Sequence, residues 1–212
     1  MGLKILYGIL IALGIFIVIT LIRAIFFVPK KRETKPLEKE NVDVERAAKH
    51  LSGAIQIPTI SYSDKNRVDW SQFEKFHKFL EESYPLLHKT LEREDIAEAS
   101  LLYHWKGKNP DLEPIALLSH QDVVPIEPGT EGDWTHEPFS GYNDGEFIWG
   151  RGALDMKNHL ICVMEAVETL LEEGYEPERD VYLCFGHDEE VVASENAGAK
   201  AIMETLKSRG IH

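Results

Sequence analysis

Three short stretches of the sequence concentrate side chains that hold cations and move protons. The first, Ser119-His120-Gln121-Asp122-Val123-Val124-Pro125, follows the apolar run Ile115–Leu118. His120 and Asp122 stand two residues apart, so in extended backbone both project to one side. A carboxylate in that position can orient an imidazole through its second ring nitrogen and increase its basicity. The second stretch is Gly150-Arg151-Gly152-Ala153-Leu154-Asp155-Met156-Lys157. Its glycines permit a tight backbone path that brings Asp155 to the start of the next helix, as a ligand or as an N-cap. The third, His187-Asp188-Glu189-Glu190, leaves the apolar run Val181–Phe185. Adjacent acids repel one another unless a cation or solvent relieves them, so this stretch is either a solvated acidic turn or part of a cation site. Side chains leaving a strand diverge, which lets one carboxylate bind a metal while its neighbour acts as general base.

Each stretch alone has a structural reading. Together they offer His, Asp and Glu donors from three places where an α/β sheet gathers functional groups, the usual way to assemble a carboxylate-bridged pair of metal ions. Thiolates are not part of the pattern. Cys162 and Cys184 sit in separate apolar segments without CxxC spacing and are expected to be buried free thiols. Nitrogen and oxygen donors suit zinc, with manganese or cobalt as alternatives.

Elements must bring these stretches together. Val44, Ala47, Ala48, Leu51 and Ile55 recur at helical spacing, predicting a helix that ends before Pro58. Phe73, Phe76, Leu80, Tyr84 and Leu87 predict a second over 70–88. Ser100–Trp105 and Ile115–Ser119, separated by Gly107-Lys108-Asn109-Pro110-Asp111, read as adjacent strands. A β-like stretch at Glu146–Trp149, a helix over 160–171 stopped at Gly174, a strand at Val181–Phe185 and a helix at Ala197–Leu206 complete an α/β domain with a largely buried sheet.

Ahead of that domain, Ile5–Ile22 is an uncharged apolar run that continues past Arg23 to Val28. It is long enough to cross a hydrocarbon core of about 30 Å, and no small-residue cleavage pattern precedes Lys30-Lys31-Arg32. Residues 1–29 are therefore read as a single-pass anchor and 30–44 as a linker, with the charged Glu33–Asn41 as tether. Lys30, Lys31, Arg32 and Lys35 outweigh Lys4, which favours a cytoplasmic domain. The chain carries −13 overall although its first residues are basic, so the domain itself is strongly acidic. That excludes a nucleic-acid-binding surface. A composition of 43% hydrophobic and 28% charged residues is that of a globular protein.

Four ordered motifs give a resemblance: His120–Pro125, Trp134 with Pro138-Phe139, the block from Asp144-Gly145 through Gly150-Arg151-Gly152 to Asp155 and Lys157, and Gly186–Glu190. With Gly53–Thr59 upstream, they resemble the M20 family of metallopeptidases, in the subgroup of Gly-X carboxypeptidases and N-fatty-acyl-amino-acid synthase/hydrolases. The resemblance covers 45–212 and implies the N-terminal part of an M20 catalytic domain, a partial zinc-peptidase-like αβα sandwich. It further implies that His120 and Glu190 each ligate one of two divalent ions and that Asp155 bridges them. Asp122 would orient His120, and Glu189 would be the general base and acid. The implied reaction is hydrolysis of amide bonds in peptides or N-acyl amino acids. The family's further acidic ligand, final His ligand and small second domain have no counterpart before His212, and Val191–Asn196 replaces a more glycine-rich stretch. The chain is thus expected to bind zinc poorly and turn over negligibly by itself, the alternative being an inactive membrane-anchored fragment or metal-binding domain. His136, Tyr142, His159 and His187 are given structural or solvent-facing roles, and oligomeric state is left open.

Overall fold

The computed structural model describes residues 2–28, 42–191 and 198–211. The chain divides into two units, Met1–Asn41 and Val42–His212. In the first, α1 (Gly2–Ile25) is one continuous helix with no buried residue. Its 24 residues rise about 36 Å, enough to span a bilayer core. Helices of this length and hydropathy occur both as membrane spans and as signal sequences. The basic cluster Lys30, Lys31, Arg32 and Lys35, the tether, most of Val191–Asn196, and His212 lie outside the described residues.

The second unit runs α2 (Val44–Ile55), α3 (Trp70–Ser83), α4 (Pro85–Thr90), β1 (Glu92–Ile96), β2 (Ser100–Trp105), β3 (Ile115–His120), β4 (Tyr142–Asn143), β5 (Ile148–Trp149), α5 (Lys157–Glu172), β6 (Val181–Gly186) and α6 (Gly198–Ser208). The helix expected over 70–88 is two helices. Pro85 has no amide to continue the first, and instead opens the second at its first turn. The buried Glu168 carboxylate of α5 caps that turn, accepting from the amides of Leu86 at 3.0 Å and Leu87 at 2.7 Å.

The main sheet has the order β1-β2-β6-β3, and β4 and β5 form a separate hairpin. β2 and β3 are therefore not adjacent, against expectation, because β6 enters between them. The turn after β2 bonds to the approach of β6, with Lys108 N donating to Pro177 O at 3.0 Å and Asn109 N to Glu178 O at 2.9 Å. β6 runs antiparallel to β2 and parallel to β3. β1, Glu-Arg-Glu-Asp-Ile, hides from a hydropathy reading because it is a charged edge strand.

Alternating residues face opposite layers. Leu101, Tyr103, Leu183 and Phe185 pack with Phe76, Leu80, Leu87, Leu160 and Met164 from α3, α4 and α5. Leu102, Tyr182 and Cys184 pack with Ile202 and Leu206 of α6 on the other side. β3 departs from the expected buried sheet: Ile115 and Leu118 are 44% and 63% exposed. Of the cysteines, Cys184 is buried but Cys162 is exposed on α5, contrary to expectation. Its neighbours Ile161 and Val163 take the core-facing positions.

Candidate metal centre

β3 and β6 pair in parallel with His120 opposite Gly186, so both strands end on the same side. This register carries residues 120–122 and 187–190 to one place, the carboxyl end of the sheet where α/β folds bind ligands. His120, 3% exposed, closes β3. Its Nε2 lies 3.1 Å from Asp155 Oδ1 and 3.6 Å from Glu189 Oε2. Its Nδ1 lies 3.2 Å from Asp122 Oδ1 and 3.1 Å from the Asp122 carbonyl. Donor atoms of His120, Asp155 and Glu190 all lie within 4.8 Å of one another.

Asp155 reaches this position over a path only glycine permits. Gly152 has φ +82°, and a Cβ there would come within 2.6 Å of Val123 Cγ1. A Cβ on Gly150 would meet Ile55 Cγ2 at 2.5 Å. The N-cap position of α5 belongs to Met156, with no side-chain bond, so Asp155 does not serve the helix as a cap. Its side chain is 76% exposed and turned towards His120.

Asp122, fully buried, does more than orient the imidazole. Its Oδ1 accepts from Glu189 N at 3.2 Å, and its Oδ2 from Ser61 Oγ at 2.6 Å and Glu190 N at 3.1 Å. It thereby fastens the backbone of the two glutamates beside His120. The acidic turn has divided duties. Asp188 Oδ1 accepts from Gly198 N at 2.7 Å at the start of α6, and buried His187 meets Ser100 Oγ at 2.7 Å. Glu189 and Glu190 remain to face His120.

Electrostatics mark the cluster. Burial opposes a charged His120, but the hydrogen bond and charge of Asp122, followed by Asp155, carry it up to about 9. Burial also works against ionised Asp122, yet bonds from His120 and Ser61 hold it below the usual carboxylate range. Glu190 moves the other way: burial, then the Asp155 charge, push it up, and His120 offsets this only in part. Complete burial drives Lys157 down to about 7 against the pull of Asp122. One imidazole facing Asp155, Glu189 and Glu190 is a donor set that a divalent cation fits. Among the described residues these donors suffice for one ion. A cavity of about 800 Å³ opens beside them, lined by Leu118, Cys184, Ile202 and Met203.

Reading residue types alone missed several supports. Gln121, between the two noted residues, is fully buried and donates through Nε2 to Ala99 O at 2.8 Å and Phe185 O at 3.0 Å. Thr59 Oγ1 donates to Gln121 O at 2.6 Å. Lys157 and Thr59 lie inside quoted motifs without an assigned role, while Ser61 carries no signal in the sequence. The His136 ring lies tilted against that of Tyr142, a residue of the β4–β5 hairpin, with 4.0 Å between ring centres.

Fold and cluster together define an α/β domain with a nitrogen-and-carboxylate cradle at the ends of its parallel strands. Residues 116–212 match the family described as Peptidase family M20/M25/M40, which identifies this part of the chain as M20 peptidase sequence. It is 38% identical over 200 residues to Carboxypeptidase S of Saccharomyces cerevisiae, covering 85% of this chain and 34% of that protein. It is 39% identical over 176 residues to the N-fatty-acyl-amino acid synthase/hydrolase PM20D1 of Mus musculus, covering 82% and 33%. The M20 family metallo-carboxypeptidase Sso-CP2 of Sulfolobus solfataricus superposes with a TM-score of 0.58 at 20% identity, over 78% of this chain and 35% of that one, a likeness of fold. The chain thus spans about a third of the length of the curated relatives it matches.

Proposed function

We propose that this chain carries the larger share of the metal cradle of an amide-bond hydrolase acting on peptides or N-acyl amino acids. The observation that supports this reading is the convergence of His120, Asp155 and Glu190 within 4.8 Å, with Glu189 3.6 Å from His120. His120 and Glu190 would each hold one of two ions, zinc before cobalt or manganese, and Asp155 would bridge them. When bound, the ions would supply Lewis acidity to the scissile carbonyl and make a water a better nucleophile. Asp122 keeps the His120 ring turned towards the cradle. Glu189, 62% exposed and held at its backbone by Asp122, is free to take the proton of the attacking water and return it to the departing amine. The names of the relatives support substrates that end in a free carboxylate.

In the same reading, 45–212 is the N-terminal part of a zinc-peptidase-like αβα sandwich, 30–44 a linker, and 1–29 a single-pass membrane anchor. The flanking basic residues favour a cytoplasmic domain. The length and hydropathy of α1 support the anchor, which would keep lipid-derived substrates close.

A second reading rests on the donor count among the described residues: three ligands hold one cation, and the domain would then bind metal without catalysis. Zinc titration of wild type against His120→Ala, and amine release from a Gly-X dipeptide and a long-chain N-acyl amino acid, decide between them. Zinc-dependent release that falls about 10²- to 10⁴-fold in Glu189→Gln, with zinc affinity kept, supports the hydrolase. The chain by itself is expected to turn over negligibly, so release is also measured after joining it to the remaining length of a relative such as Carboxypeptidase S. Zinc binding with release in neither form supports the second reading. A folded chain that binds zinc no better than His120→Ala overturns both.

A further inference from the structure

The cradle has two halves that arrive by separate routes. One is the pair of strand exits, carrying His120, Asp122, Glu189 and Glu190. The other is the glycine-rich loop carrying Asp155. Between them runs the segment 57–61, which links α2 to the rest of the domain and makes bonds to both halves.

At one end stands Lys157, two residues beyond Asp155 and 1% exposed. Its Nζ donates to Ala54 O at 2.8 Å and Ile57 O at 2.6 Å, and lies 4.7 Å from the Phe76 ring centre. Burying an amine is costly, and a methionine would fill similar space without that cost. What the amine adds is a fixed tie between the start of α5 and the end of α2. Along the middle, the segment pairs with the β3 exit. Val123 N donates to Thr59 O at 3.0 Å and Ser61 N to Val123 O at 3.2 Å, around a parallel bridge of Ile60 with Val123. At the other end Ser61 Oγ donates to Asp122 Oδ2 at 2.6 Å, and Asp122 in turn holds the amides of Glu189 and Glu190.

We propose that the segment 57–61 is a clamp that sets the spacing of the cradle, with Lys157 and Ser61 as positioning residues at its two ends. The clamp rests on the metal-centre reading, but its bonds exist without a cation and can be tested without one. Neither residue touches the cation. Lys157 fixes where the Asp155 loop ends, and Ser61 fixes the carboxylate on which His120 and both glutamates lean.

The experiment uses the full chain in detergent, as wild type, Ser61→Ala, Ser61→Thr, Lys157→Met and His120→Ala, with zinc as the probe. Amide hydrogen exchange is read at Glu189 and Glu190 in metal-free protein, zinc affinity by competition titration, and folding by thermal melting. Ser61→Ala is expected to melt within a few degrees of wild type, to exchange faster at both amides and to bind zinc about ten- to a hundredfold more weakly. Ser61→Thr, which keeps the hydroxyl, restores both. Lys157→Met, if folded, weakens zinc binding similarly; if it does not fold, the Ser61 pair decides. A residue of merely structural importance would lower the melting temperature and leave zinc affinity of the folded protein unchanged. Wild-type exchange and zinc affinity in Ser61→Ala overturn the clamp. If wild type and His120→Ala bind zinc alike, the metal-centre reading falls instead, and exchange at Glu189 and Glu190 alone then upholds or overturns the clamp.

Discussion

Among the described residues, histidine meets buried carboxylate at two places in the domain, and the two clusters are built to opposite ends. Between α2 and α5, Glu165 is 4% exposed and fully matched. Its Oε1 contacts His50 Nδ1 and accepts from Tyr84 OH at 3.1 Å, while its Oε2 accepts from Arg46 Nε at 2.9 Å. Arg46 extends the network to Glu172 at 2.7 Å and to Thr169 Oγ1 at 2.9 Å. At the strand exits, His120 faces Asp122, Asp155 and Glu189, with Glu190 alongside, and the nearest buried amine, Lys157, is turned away to backbone carbonyls. The contact between histidine and acid is therefore not what distinguishes a functional cluster. The distinguishing feature is negative charge left unmatched in a converging geometry, which a cation can relieve.

The largest expected effect breaks the matched cluster. Glu165→Ala strands Arg46, His50 and the Tyr84 hydroxyl in a part-buried site, and removing one member of such a network is expected to cost about 3 kcal/mol. Urea denaturation of the full chain in detergent measures this. Zinc affinity of the folded fraction should stay within about twofold of wild type, since sites that share no partners act independently. A large loss of zinc affinity would mean that the two clusters are coupled and that the contrast is false.

A smaller effect comes from pH and lies in the packed interior. His88 Nδ1 meets Tyr84 O at 2.9 Å and its Nε2 meets Tyr103 OH at 3.0 Å. The neutral ring donates to the carbonyl and accepts from the phenol. Protonation would reverse the second bond, with Nε2 donating to the phenol oxygen, and would place a charge in a part-buried site. Burial holds His88 below its ordinary 6.5, the Tyr84 carbonyl offsetting this in part. Burial depresses His77 likewise, although Gln121 opposes it. For a histidine depressed in the fold, the unfolded chain takes up its proton first. Stability is then complete above about 6.5 and is lost as pH falls below it. His120, raised to about 9, works in the opposite direction over this range, so the test is made in His120→Ala. Its melting temperature should decline from pH 7.5 to pH 5.5, and adding His88→Gln, which keeps a donor and an acceptor, should flatten part of that decline. An unchanged slope would assign the acid sensitivity elsewhere.

How far the sequence carried these conclusions follows from where the information resides. The limits of α2 and β2 were legible because a run of apolar residues at one period defines each. His120, Asp122, Asp155, Glu189 and Glu190 were legible as candidates because strand ends and glycines flank them. The entry of β6 between β2 and β3 was not, since it depends on bonds from Lys108 and Asn109 to a segment far along the chain. β1 was hidden because its pairing comes from backbone while its side chains are charged. Ser61 was invisible for a similar reason: its role is a single hydroxyl bond to a residue 61 positions away. Residue type announces chemistry, whereas the supports of chemistry are announced only by contact.

The smallest effect is the sharpest test, because it predicts opposite signs at the two clusters. Neutralising Glu165 removes a matched charge and must destabilise. Neutralising Glu190 removes an unmatched one, since burial and the Asp155 charge already push this carboxyl above the usual range. Glu190→Gln should therefore stabilise the metal-free chain, by a few tenths of a kcal/mol once solvent screening is allowed for. The Asp122 bond survives the change because it uses the backbone amide of residue 190. The same substitution should weaken zinc binding by at least about tenfold, as one of three donors loses its charge. Melting in chelator and melting in excess zinc should then move in opposite directions relative to wild type. Parallel shifts would show that Glu190 is an ordinary surface acid and that the crowding of charge around His120 has no bearing on a cation.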